Sequence, residues 1–137
     1  MELNTIGFVA AASTFLGVWC GHVSVRKIEF ISPTIWLPTI AFAILGLSLE
    51  WLSLSTLNLY LSTASGILGF TFLWDALEFT RQQNRIKKGH APANLNNPRH
   101  ARIMHECSSA TTLDLLNRDP VGKTVTHTEA IQLITER

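Results

Sequence analysis

Residues 73–90 read LWDALEFTRQQNRIKKGH, and how this stretch is read decides the fold. An apolar run that starts at Leu57 admits two acids, Asp75 and Glu78, and then four cations, Arg81, Arg85, Lys87 and Lys88, with no acid among them. No Pro interrupts it, and no Gly between Phe70 and Lys88, so one continuous helix is expected to carry all three compositions in turn. A helix that leaves hydrocarbon, passes its carboxylates through an interface and ends among anionic headgroups has this order.

Working outward, the averages over 137 residues (47% hydrophobic, 15% charged, net charge +1) conceal two materials. Residues 1–79 hold seven charged side chains, Glu2, Arg26, Lys27, Glu29, Glu50, Asp75 and Glu78, and the remaining 58 residues hold fourteen. The first part contains three apolar stretches, about 6–25, 35–52 and 57–79. At about 1.5 Å per residue, about 20 residues cross a hydrocarbon core of about 30 Å. None of the three shows the polar stripe of a soluble amphipathic helix. The first opens MELNT, without a basic n-region, and has Arg26 and Lys27 on its far side, so it is expected to be a retained span rather than a signal peptide. Cys20 and Cys107 are too far apart to imply a disulfide framework, and there is no CxxC pair.

Of the eleven Lys and Arg residues, Arg26 and Lys27 follow the first stretch and the other nine follow the third. The positive-inside rule then places the 26–34 loop and the C-terminal tail in the cytoplasm, and the N-terminus and the 53–56 turn outside. Trp19, Trp36, Trp51, Tyr60 and Trp74 fall near span ends, where amphipathic rings suit the headgroup layer. Pro33 and Pro38 bracket the expected start of the second helix. Small residues recur every four positions at Ser13, Gly17 and Gly21, and at Ser62 and Gly66 or Ser65 and Gly69. These ridges are expected to bring the first and third spans together. The predicted fold is therefore all-α, a three-helix transmembrane bundle over residues 1–88. An irregular linker at 89–110 and a short, partly helical cytoplasmic tail at 111–137 are expected to follow, with helical candidates at Thr111–Asn117 and Thr128–Glu136. The DPVGKT segment lacks the first glycine of a P-loop, since Asn117 stands there.

GHVSVRKIEF and LWDALEFTRQQNRIKKGHAPAN resemble the two signature stretches of a family of small bacterial membrane proteins known as domain of unknown function 4491. His22, Lys27, Glu29 and Phe30 match the first pattern. Leu73, Trp74, Glu78, Gln82, Arg85, Lys87, Lys88, Gly89, Pro92 and Asn94 match the second. Val23, His90 and Leu95 depart from it, where the family has Pro, an aromatic residue and Pro. The resemblance spans about residues 5–95 and implies a three-span protein without assigning an activity.

His22, Arg26 and Glu29 recur at i, i+4 and i+7, and Asp75, Glu78, Gln82 and Arg85 lie mostly along one face of the third helix. With Lys27, they are the candidates for a polar site that takes a proton, ion, quinone or lipid headgroup. Alternatively, they form an interfacial collar of ion pairs that fixes helix register. The collar is the preferred reading, because these residues sit at span ends. A contact between the 22–29 and 74–85 segments is expected, with at least one cross-helix ion pair or hydrogen bond. Arg81, Arg85, Lys87 and Lys88 are expected to bind anionic headgroups on the cytoplasmic side.

No cofactor is expected. Bis-His haem ligation would need a second histidine within the spans besides His22, and CxxCH is absent. His90, His100, His105, Cys107 and His127 match no standard zinc spacing, so no metal is expected. No nucleophile, base and orienting group stand at recognisable spacing, so an enzyme is not expected. The adjacent span explains the basic run without nucleic acid. The functional expectation is a non-catalytic, multi-pass protein of the bacterial inner membrane, an accessory subunit with other membrane subunits as partners. The alternatives are a homo-oligomeric transporter or channel, and a subunit lining a quinone or proton pathway.

Overall fold

The computed structural model describes residues 4–114. Its four helices are α1 (Thr5–Ile31), α2 (Trp36–Ser55), α3 (Leu59–Lys87) and α4 (Pro98–Glu106), with no strand among the described residues. α1 and α2 are long and apolar enough to cross a membrane by length and composition. α3 is longer than either, but the same test does not select it.

Both α1 and α3 overrun the apolar stretches that announce them. α1 continues through Arg26, Lys27 and Glu29, because nothing breaks it before Ser32 and Pro33. α3 continues through the basic run to Lys87, and the chain then turns at Gly89, whose φ of 73° favours glycine. Asn4 caps α1 by accepting from the Ile6 N–H, and Asn58 caps α3 by accepting from Tyr60 and Leu61.

α3 is the middle helix, with α1 and α2 packed against it. α1 runs parallel to α3 in a constant register: Thr5 Oγ1 lies 2.8 Å from Tyr60 Oη, Gly17 faces Thr71, and Gly21 faces Asp75. The buried residues of α1 are Ser13, Gly17, Gly21, Val25 and Glu29, every fourth position, so the expected ridge of the first helix does meet the third. The glycines of α3 face the other way. A side chain at Gly69 would meet Glu50 and the Gly46 carbonyl of α2, and one at Gly66 would meet Ser53. The expected pairing of two ridges between the first and third helices is thus corrected. α1's small residues meet larger side chains of α3, and α3's glycines serve α2.

α2 is antiparallel to α3. Ser53 and Ser62 exchange hydroxyl-to-carbonyl hydrogen bonds of 2.8 and 2.9 Å at one end. Phe42 packs edge-on against Phe72 and Phe79 at the other, with ring centroids 5.5 and 5.1 Å apart.

The segment expected to be an irregular linker at 89–110 is not one. Asn97 caps α4 by accepting from the Arg99 N–H, and Pro98 occupies the first turn, where its missing N–H costs nothing. Ile103 of α4 packs with Ile86, Ala91 and Ala93 in a small core at the end of α3, flanked by Met104, Cys107 and Ala110. The Ser109 hydroxyl donates to the Lys87 carbonyl, and the Ala93 N–H to the Thr111 carbonyl, which closes the cap. Residues 111–114 are not helical. The rest of the first tail candidate, and the whole of the second, lie outside the described residues.

Candidate functional site

The polar side chains gather where α1 and α3 end, beneath α4. Glu29 is 1% exposed, a costly position for a carboxylate unless cations and donors surround it. Arg99 and His100 of α4 supply them. Arg99 Nη1 donates to Glu29 Oε1 at 2.8 Å, and His100 Nε2 lies 3.1 Å from the same oxygen. His100 is fully buried, and its Nδ1 accepts the Asn94 backbone N–H at 2.9 Å. An Nδ1 that accepts leaves the ring proton on Nε2, so His100 is a neutral donor to Glu29 and Arg99 carries the countercharge.

Arg99, with Asn94 and Asn97 just before α4, also closes the end of α1, whose last carbonyls have no partner within the helix. Arg99 Nη2 donates to the Glu29 carbonyl at 2.7 Å. Asn97 Nδ2 donates to the carbonyls of Phe30 and Ser32 at 3.1 and 2.9 Å, and Asn94 Nδ2 to that of Phe30 at 3.1 Å. A guanidinium and two amides at a helix C-terminus also complement its dipole.

On α3, Glu78 is buried and answered from its own helix. Arg85 Nη2 reaches Glu78 Oε1 at 2.6 Å and Arg81 Nη1 reaches Oε2 at 3.5 Å. Arg85 also donates to Gln82, and the Arg81 guanidinium sits 4.5 Å from the ring centroid of Trp74. Arg81 and Arg85, expected to point at headgroups, are therefore also tied into the helix. Lys87 and Lys88 stay exposed.

Asp75 is buried against Gly21, where any side chain on α1 would overlap its carboxylate. Asp75 Oδ2 and Glu29 Oε2 are the two buried side-chain oxygens without a hydrogen-bond partner among the described residues.

The two signature stretches touch at Gly21 against Asp75, one residue before the 22–29 segment expected to make the contact. The expected cross-helix bond is not made. Among the described residues, no hydrogen bond or ion pair joins Arg26, Lys27 or Glu29 to Asp75, Glu78 or Arg85. The reason is that Glu29 turns toward α4 while Glu78 is already satisfied by the cations one and two turns further along α3. His22, Arg26 and Lys27 are exposed instead, and with Glu29 and Gln82 they line a half-open cleft of about 850 Å³ between α1 and the 92–93 and 112–114 segments.

A family model described as Domain of unknown function (DUF4491) matches residues 4–97. The chain belongs to this family. Both signature stretches, with Glu29, Asp75 and Glu78, lie inside the matched region, as do Asn94 and Asn97, whereas Arg99 and His100 follow directly after it. No curated protein and no solved structure matches the chain.

Proposed function

We propose that this chain is a non-catalytic, three-span protein of the bacterial inner membrane, an accessory subunit of a larger membrane complex whose cytoplasmic cap is α4 and its flanking segments. The observation that carries the membrane reading is the inverted distribution of side chains. The buried positions of α1 are small or polar apart from Val25, while Phe8, Phe15, Leu16 and Trp19 face outward. α3 repeats the pattern as far as Leu77, burying Ser65, Gly69, Asp75 and Ala76 and exposing Leu59, Leu61, Phe70 and Leu77, whereas further on it also buries Phe79 and Ile86. Water-soluble bundles bury large residues and expose small ones, whereas helices that meet in lipid do so through small residues, because lipid supplies no hydrophobic force between them. α3 shares this pattern with α1, which supports a third span despite its two acids.

The non-catalytic reading rests on how the carboxylates are used. Glu29 and Glu78 are each held by cations of this same chain, as a collar that fixes register requires. Asp75 favours the rival reading, a proton or quinone pathway, because its buried Oδ2 lacks a partner among the described residues. Purification of the full chain in mild detergent tests the accessory role. A heteromeric membrane complex of fixed stoichiometry is expected. A symmetric oligomer of this chain alone would support the channel alternative and contradict the proposal.

A further inference from the structure

We propose that the cleft between α1 and the cap holds one anionic phospholipid, its phosphate on Arg26 and Lys27 and its acyl region on the apolar wall made by Val23, Phe30 and Pro92. The inference rests on the membrane reading above and gives it a specific ligand.

The cations of this end of the molecule are not equivalent. Arg81, Arg85 and Arg99 are committed to Glu78 and Glu29. Arg26 and Lys27 make no ion pair or hydrogen bond among the described residues, and both line the cleft, with His22 one turn before Arg26. Two acids also line the cleft: Arg99 answers Glu29, and Asp114 is engaged in an interaction of its own. Two cations converge on a cavity of about 850 Å³, which is a volume for a headgroup and the start of its chains rather than for an inorganic ion alone. Val23 and Ile31, both exposed, continue the wall onto the outer, apolar surface of α1, so a ligand with a charged head and an apolar tail satisfies both surfaces. Lys87 and Lys88 are equally basic and exposed, but neither lines the cleft, so they can only offer diffuse attraction to a bilayer surface.

Native mass spectrometry of the full chain tests this, after delipidation and titration with dioleoyl phosphatidylglycerol, dioleoyl phosphatidylcholine or inorganic phosphate. One phosphatidylglycerol is expected to bind in preference to phosphatidylcholine, and millimolar phosphate is not expected to displace it. Arg26→Gln/Lys27→Gln should weaken that binding by about ten-fold or more, and Lys87→Gln/Lys88→Gln should leave it within about two-fold. Val23→Trp fills the cleft without changing charge and at an exposed position that tolerates it, so it too should displace the lipid. Equal losses in both charge variants would reduce the effect to surface attraction and overturn the site. Full displacement by inorganic phosphate would replace the lipid with a free phosphate. Carbonate extraction of the same preparations separates the two levels of the argument. A chain that resists extraction yet binds no lipid refutes the cleft alone, and a chain that is extracted refutes the membrane reading beneath it.

Discussion

Arg99 holds Glu29 twice, through the carboxylate at 2.8 Å and through the residue's own backbone carbonyl at 2.7 Å. One guanidinium thus neutralises a buried acid and ends a helix, and it belongs to a segment 70 residues further along the chain. This arrangement fastens the cap to α1, while the small apolar core around Ile86 and Ile103 fastens it to α3.

If that clasp holds the cap, Arg99→Ala leaves Glu29 buried with only a neutral imidazole beside it. Removing one partner of a buried pair costs about 3–5 kcal/mol. Hydrogen exchange should therefore rise across residues 94–106 while α2 stays protected. Arg99→Met/Glu29→Met removes both charges and is expected to restore most of the protection. Unchanged exchange in Arg99→Ala would show that the apolar core alone holds the cap.

Glu78→Gln separates the collar from a pathway. Arg81 and Arg85 are each about half exposed, so the solvent-screened loss is on the order of 1 kcal/mol, seen as a lower thermal midpoint in detergent. Proton or electron flux per assembled molecule should not change. Normal assembly with abolished flux would overturn the collar and move Glu78, with Asp75, into a pathway.

Gly46 and Gly69 let α2 and α3 touch backbone to backbone. A methyl group at Gly46 would stand 2.8 Å from the Gly69 carbonyl oxygen, an atom that cannot swing aside. Gly46→Ala is expected to cost about 1–3 kcal/mol through this overpacking, read as a drop in thermal midpoint. Gly7→Ala, where nothing lies within 4 Å, is the matched control and should change little.

The fold's long helices were legible because their signals are local. The four-residue spacing of Ser13, Gly17 and Gly21 marks the packed face of α1. Which helix a glycine ridge serves is not local, and Gly66 and Gly69 were paired with the wrong neighbour because their fit depends on Ser53, Glu50 and Gly46. The cap was missed for another reason. Pro and Asn in APANLNNPRHAR look like breakers, yet Asn97 followed by Pro98 is also the signature of a helix start, and that signal could have revealed α4. Arg99 and His100 carry no local signal of their role, since nothing near them in the chain announces that Glu29 will be buried beneath them.

The account's central claim is that α3, like α1 and α2, crosses the membrane. Single cysteines decide it, introduced as Ser55→Cys or Ala101→Cys in a Cys20→Ser/Cys107→Ser background, both at exposed positions. Three spans put these residues on opposite sides, so an impermeant thiol reagent should label the first in intact cells and the second only after lysis. If only α1 and α2 cross, both positions share one side and label together, which would contradict the three-span fold and the cytoplasmic cap built on it.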